Sequence, residues 1–172
     1  AKSGKKVWTF PWQTKYNVNA ADPVVEGDRI FISSGYNRGC ALLKITKNSV
    51  SKLWENKTMR NHFSSSIIWN DHIYGVDGNA GQGDLVCMRL SDGTEVWREN
   101  TGFGSMMAAN GKILFLGEKG DLMIAELSPA GFNKAAEASV LEKTCWTAPV
   151  LSNGRIYCRN NKGTLVCLDV SR

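Results

Sequence analysis

Met106-Met-Ala-Ala-Asn-Gly-Lys-Ile-Leu114 decides the reading of this chain, because the pattern occurs four times in altered form. An apolar pair leads into Asn110-Gly111, and a β-rich stretch follows. Asn-Gly between apolar runs is a strong hairpin signal, since both turn residues must accept positive φ. The counterparts are Pro23-Val-Val-Glu-Gly-Asp-Arg-Ile-Phe31, Ser66-Ile-Ile-Trp-Asn-Asp-His-Ile-Tyr74 and Pro149-Val-Leu-Ser-Asn-Gly-Arg-Ile-Tyr157. The matching isoleucines Ile30, Ile73, Ile113 and Ile156 are separated by 43, 40 and 43 residues. A period of about 40–45 residues with several short strands per unit points to a propeller blade rather than a helical solenoid.

Outward from each hairpin the blade continues. A third strand follows in Gly39-Cys-Ala-Leu-Leu-Lys-Ile45, Gly83-Asp-Leu-Val-Cys-Met-Arg-Leu90, Gly120-Asp-Leu-Met-Ile-Ala-Glu-Leu127 and Gly163-Thr-Leu-Val-Cys-Leu-Asp-Val170. These runs are apolar on both faces, as sheets packed between neighbours require. A fourth strand is expected at Lys5-Lys-Val-Trp8, Ser51-Lys-Leu-Trp54, Thr94-Glu-Val-Trp97 and, more loosely, Glu137-Ala-Ser-Val-Leu141. Asp92-Gly93 is a turn signal feeding the third of these. Only Ser171 and Arg172 follow Val170, so residues 4–8 are expected to supply the missing strand of the last blade. The expected architecture is therefore all-β: a propeller of four-stranded antiparallel blades, with repeats near 9–54, 55–97, 98–141 and 142–172, the last completed by residues 4–8.

The remaining composition excludes several classes. The chain has 172 residues, 42% of them hydrophobic and 22% charged, which is globular rather than disordered. No apolar run approaches the roughly 20 residues of a membrane-spanning helix. The first residue is Ala1, and the opening Ala-Lys-Ser-Gly-Lys-Lys is no signal peptide, so a cut N-terminus is expected. The net charge of +5 is scattered, without the basic stripe interleaved with aromatics that nucleic-acid binding uses. No nucleic-acid partner is expected. The five cysteines, Cys40, Cys87, Cys145, Cys158 and Cys167, form no Cys-x-x-Cys motif and no zinc pattern with His62 or His72. Cys87 and Cys167 hold the same repeat position, so both read as core side chains rather than disulfide partners.

Cys87-Met-Arg-Leu-Ser-Asp-Gly-Thr-Glu-Val-Trp97 resembles the Ala-x-Asp-x-x-x-Gly-Lys-x-x-Trp signature of pyrroloquinoline-quinone-like (PQQ-like) propeller repeats, the tryptophan docking motif. Arg89 stands where that signature has Asp, and Thr94 where it has Lys, whereas Cys167-Leu-Asp-Val170 keeps the acid as Asp169. The stretches from Phe31 to Leu43, Cys145 to Leu151 and Gly154 to Arg159 look like the C-terminal part of secreted bacterial PQQ-binding-like propellers. The resemblance implies a ring of about seven or eight blades, an export signal upstream, and a periplasmic or outer-surface location. It does not fix activity, because the fold carries both quinone dehydrogenases and inert scaffolds, among them the propeller lipoprotein of outer-membrane protein assembly.

Three tryptophans, Trp8, Trp54 and Trp97, read as structural residues packed between blades rather than as ligand-stacking groups. Quinone dehydrogenases of this fold bring adjacent cysteines, a calcium site and a catalytic Asp. This chain has no adjacent cysteines, and its nearest approach to a calcium loop, Asp77-Gly-Asn-Ala-Gly-Gln-Gly-Asp84, reads better as a glycine-rich hairpin connection. No catalytic residue, cofactor ligand or metal ligand is assigned. Connections from the fourth strand of one blade to the first of the next line one propeller face around the central channel. They carry Trp12, Tyr16 and Asn19 before the first blade, Arg60, Asn61 and His62 before the second, and Arg98, Asn100 and Phe103 before the third. Aromatics with Arg and Asn around a concavity are what binding hot spots use. The expectation is a non-catalytic exported binding or scaffold module acting on a protein or other macromolecule, with any membrane association indirect. The alternative is the C-terminal half of a PQQ- and calcium-dependent alcohol or polyol dehydrogenase with its catalytic residues upstream. Four blades also raise the possibility of closure alone, with the rest of a longer propeller, or by pairing into an eight-bladed dimer.

Overall fold

Asn110 and Gly111 have φ of 49° and 71°, and Asn153 and Gly154 have 48° and 71°, so both Asn-Gly pairs form the left-handed two-residue turns that close hairpins. Asn70 and Asp71, at 47° and 58°, do the same without glycine. The computed structural model describes residues 3–171. Ala1, Lys2 and Arg172 at the end of the last repeat lie outside the described residues.

Around those turns the described chain is all-β. The first blade contains β1 (Val24–Glu26), β2 (Arg29–Ser34), β3 (Gly39–Ile45) and β4 (Val50–Asn56). The second contains β5 (Ile67–Trp69), β6 (His72–Asn79), β7 (Gln82–Arg89) and β8 (Glu95–Glu99). The third contains β9 (Gly104–Ala109), β10 (Lys112–Gly117), β11 (Asp121–Glu126) and β12 (Lys134–Ser139). The last has β13 (Val150–Ser152), β14 (Arg155–Arg159) and β15 (Leu165–Asp169). Each sheet is an antiparallel meander in chain order. In every blade the residue after the third strand, or at its end, is tied back to the first hairpin turn: Ile45, Leu90, Leu127 and Val170 donate their N–H to the carbonyls of Asp28, Asp71, Gly111 and Gly154.

The fourth strands share an irregularity. Pairing slips between Leu42 and Leu43, Cys87 and Met88, and Ile124 and Ala125, leaving Leu53, Val96 and Ala135 unpaired. A bulge of this kind bends the strand and re-aims the next side chain. In the first two blades that side chain is tryptophan. Trp54 donates its indole N–H to the Leu90 carbonyl of the second blade at 2.9 Å, and Trp97 reaches the Ser128 carbonyl of the third at 2.9 Å. Each indole also tilts against an aromatic ring of its own blade, Phe31 at 6.1 Å and Tyr74 at 6.0 Å.

The cores lie between blades. Phe31, Cys40 and Leu42 of the first blade meet Ile73, Val86, Met88 and Leu90 of the second. Tyr74, Val76, Leu85 and Cys87 meet Met106, Ile113, Phe115 and Met123 of the third. Leu114, Leu116 and Leu122 meet Ile156 and Cys158 of the last. The second and third blades thus bury one face against their predecessor and the other against their successor.

Three expectations need correction. Residues 4–8 form no strand, and the last sheet stops at three strands with one edge of β15 open among the described residues. Trp8 and Phe10 instead line a cleft against Ile30, Ile32 and Leu43 on the leading face of the first blade. The fourth strand of the third blade is Lys134–Ser139 rather than 137–141, and Ala136 takes the tryptophan position opposite Ile124. Cys167 is exposed although Cys87, its equivalent, is fully buried, because among the described residues no sheet packs on that face of the last blade.

Candidate binding face

The 2–3 turns and the 4-to-1 connections leave the sheets at the same end, since Glu99, the last residue of β8, pairs with Leu85 near the start of β7. That end gathers chain from all four blades. An aromatic strip runs across it: Tyr16 to Tyr36 at 5.0 Å between ring centres, Tyr36 to His62 at 5.0 Å, His62 to Phe63 at 4.8 Å, and Phe63 to Trp146 at 5.5 Å. Phe103 packs under Phe63 at 4.8 Å and is buried. Most of these contacts are edge-to-face or tilted, the arrangement that ring quadrupoles favour. Both ends of the strip are open, with Tyr16 56% and Trp146 49% exposed.

Hydrogen bonds fix the strip from below. The Ala80 N–H donates to Nδ1 of His62 at 3.3 Å, so Nε2 carries the ring proton and donates to the Tyr36 hydroxyl oxygen at 3.1 Å. Burial holds the His62 pKa below its ordinary 6.5, which keeps the ring neutral. Trp146 donates its indole N–H to Glu118 at 2.6 Å, and the other oxygen of Glu118 accepts the Gly81 N–H at 2.7 Å.

Beside the strip lies a charged cluster centred on Asp77, whose side chain is 1% exposed. Arg60 grips it with Nε on Oδ1 at 2.7 Å and Nη2 on Oδ2 at 2.7 Å, while the Arg60 backbone N–H adds a third bond to Oδ1 at 2.9 Å. Arg98 donates to Oδ2 at 2.8 Å and continues to Asp84 at 3.2 Å and Glu95 at 2.8 Å. Asn100 completes the chain by donating to Asp84 at 2.9 Å. Burial alone pushes the Asp77 carboxyl up, but the bonds from Arg60 and Arg98 outweigh it and hold the group below the usual carboxylate range. A cleft of about 720 Å³ opens between cluster and strip, lined by Lys15, Tyr16, Tyr36, Arg60, Asp77 and residues 78–84 among others.

The residues singled out in the sequence separate into groups here. Tyr16, Arg60, His62, Arg98, Asn100 and Phe103 come to this end of the blades. Asn61 is there too but is buried, with its side chain spent on the Val76 carbonyl at 3.0 Å and the Ser66 hydroxyl at 2.9 Å. Trp12 and Asn19 line the other cleft, with Trp8 and Phe10. Trp12 is stacked under the Arg38 guanidinium at 3.4 Å and bonded to Ser34 at 3.0 Å. Tyr36, Phe63, Trp146, Asp77 and Glu118 were not singled out for this face. Trp146 lies in a 4-to-1 connection and obeys the rule that found the others, whereas Tyr36 and Glu118 sit in 2–3 turns, which share the same end.

The Asp77–Asp84 loop does not suit calcium. Both oxygens of Asp77 are occupied by guanidinium groups and Asp84 is shared between Arg98 and Asn100. No cluster of three His, Cys, Asp or Glu side chains suited to a metal ion occurs among the described residues.

A family model described as outer membrane protein assembly factor BamB matches residues 1–99 and again 81–172. No curated protein sequence matches the chain. Among solved structures, BamB from Moraxella catarrhalis superposes with a TM-score of 0.66 at 13% identity, over 86% of this chain and 42% of that one. The computationally designed Ika8 protein gives 0.64 at 7% identity, over 86% and 45%. The designed Ika4 protein gives 0.63 at 9% identity, over 87% and 89%. The chain thus spans less than half the length of the first two, and these likenesses concern the fold.

Proposed function

The chain belongs to the BamB family of PQQ-like propellers, and from that premise we propose that it is an exported, non-catalytic binding module that holds a protein partner on the face carrying the aromatic strip. The observation that carries this reading is the strip itself: rings from Tyr16 to Trp146 form one surface drawn from the connections before the first, second and last blades and, through Tyr36, from the 2–3 turn of the first. Rigid aromatic anchors exposed at both ends are the side chains that dominate protein interfaces. The polar network beneath them is already paired, so little ordering remains to be done on binding.

A protein fits this face better than a nucleic acid. Arg60 and Arg98 are neutralised by Asp77, Asp84 and Glu95, and Arg38 by Glu55, so the face offers no row of free cations to phosphates. The family's assembly-factor description supports a partner and a location outside the cytoplasm.

The test is selection of binders from a random-peptide phage library on the folded chain, followed by titration against variants. Affinity for the selected peptides should fall at least about tenfold in a Tyr16→Ala/Trp146→Ala double variant. It should be unchanged in Trp69→Ala, which removes an exposed tryptophan at the opposite end of the second blade. Peptides that lose affinity only in Trp69→Ala, or none at all, would refute the assignment of this face.

A further inference from the structure

Two consecutive amides hold the aromatic strip from one hairpin. The turn Ala80-Gly81 joins β6 to β7 in the second blade. Its Ala80 N–H donates to Nδ1 of His62 at 3.3 Å, in the middle of the strip. Its Gly81 N–H donates to Glu118 at 2.7 Å, and the other oxygen of Glu118 takes the Trp146 indole N–H at 2.6 Å, at the strip's end. One two-residue turn therefore sets the position of both rings.

The Ala80 bond exists only while Nδ1 of His62 carries no proton. Neutral imidazole accepts at one nitrogen and donates at the other, whereas imidazolium donates at both. Protonation sets two N–H groups against each other across 3.3 Å. The backbone beside the ring has little room to relieve this. Asn61 bridges Gly78, and Gly78 donates its N–H to the Arg60 carbonyl at 3.1 Å. On the other side, a Cβ at Gly35 would come within 3.1 Å of the His62 Cα, so the 2–3 turn of the first blade closes it in. Relief falls on the ring and on the Ala80-Gly81 turn, and each carries part of the strip. The ring packs against Tyr36 and Phe63, and the turn steadies Glu118 beneath Trp146.

The charged groups on the elements around the ring have other partners. Arg60, on the same connection, grips Asp77, and Asp84 across the hairpin is held by Arg98 and Asn100. Arg98 also holds Glu95, and Glu99, before Phe103, is exposed. Beyond Tyr36, Arg38 pairs with Glu55 and Lys15 lies over the Tyr16 ring. Among the described residues no carboxylate bonds the imidazole, so burial alone acts on its charge, and it acts against the cation. We infer that the face is pH-gated through His62, which rests on the strip being the protein-binding surface: it holds its partner while the ring is neutral and releases it as Nδ1 takes a proton. Binding covers the ring and proton uptake uncovers it, so the two oppose each other reciprocally. Affinity then falls by up to about tenfold for each pH unit below the titration of the free chain.

Calorimetric titration with a phage-selected peptide free of histidine, between pH 7.5 and pH 5, tests this on the wild type and on His62→Gln. The glutamine amide keeps a neutral donor and acceptor at the site and takes up no proton. Wild-type affinity should be level above pH 7 and at least about fivefold lower at pH 5. The midpoint of that fall should match the titration of the His62 Cε1 proton, followed by NMR in the free wild-type chain. In His62→Gln the affinity should vary by less than about twofold over the same range. Tyr16→Ala/Trp146→Ala at pH 7.5 separates the two ways of failing. Undiminished binding there would place the peptide elsewhere and overturn both the face and its gate. Lost binding there, with a wild-type affinity that ignores pH or departs from the His62 titration, would overturn the gate alone. So would a His62→Gln variant that keeps the wild-type pH dependence.

Discussion

The indole N–H of Trp54 and the carbonyl of Leu90 meet at 2.9 Å across the boundary between the first two blades. Gly93 makes the approach possible: a Cβ there would come within 2.9 Å of the Trp54 ring. The bond fixes one sheet against the next at the rim, where the strands have run out of interleaved side chains. The same device recurs from Trp97 to Ser128.

Trp54→Ala should therefore destabilise the chain by about 3 kcal/mol, the low end for a tryptophan because the ring is half-buried. Urea unfolding followed by circular dichroism checks this. A loss below about 0.5 kcal/mol would mean the indole is surface decoration.

Ala136 leaves the corresponding dock between the third and last blades empty. A cleft of about 590 Å³ remains there, lined by Leu114 and Ile124 on one side and Leu151, Ile156 and Val170 on the other. Ala136→Trp should fill it and raise stability by about 1 kcal/mol, in line with cavity-filling substitutions. A lowered melting temperature would show that the groove cannot take an indole.

Asp77→Asn removes the charge that holds two guanidinium groups in place. The expected loss is about 3 kcal/mol, at the lower end for breaking a buried pair because Arg60 and Arg98 keep some contact with water. The double variant Arg60→Ala/Asp77→Asn should lose less than the sum of the single changes, and a thermodynamic cycle measures the coupling.

His62 gives the face a pH dependence. Its folded pKa lies below the ordinary 6.5, so the folded state takes up its proton later than the unfolded chain as pH falls. The stabilisation it carries is complete above about pH 6.5 and is lost as pH falls through the folded value, where a proton on Nδ1 would displace the Ala80 N–H. Unfolding free energy should rise between pH 5 and pH 7, and His62→Asn should flatten that rise. An unchanged slope in the variant would assign the titration to other groups.

Much of the fold was legible because hairpins are local. The pairs at 110–111 and 153–154 announce left-handed turns, and the isoleucine spacing places the blades. The third blade misled because Ala136 holds the place that tryptophan marks in the first two, so the next bulky apolar pair, Val140-Leu141, drew the expected fourth strand past it. The candidate face was half legible. A 4-to-1 connection can be recognised once blades are placed, which found Tyr16, Arg60 and His62. The grip of Arg98 on Asp77, and of His62 on Tyr36, joins residues 21 and 26 positions apart and leaves no periodic trace.

The face itself is best tested by fluorine NMR of the chain labelled with 5-fluorotryptophan, titrated with the tightest peptide from the phage selection. The six tryptophans report on separate places: Trp146 on the strip, Trp69 at the far end of the second blade, Trp54 and Trp97 between blades, Trp8 and Trp12 against the first blade. The account expects the Trp146 resonance to shift saturably while those of Trp69, Trp54 and Trp97 stay in place. Movement of Trp69 with Trp146 unchanged would contradict it.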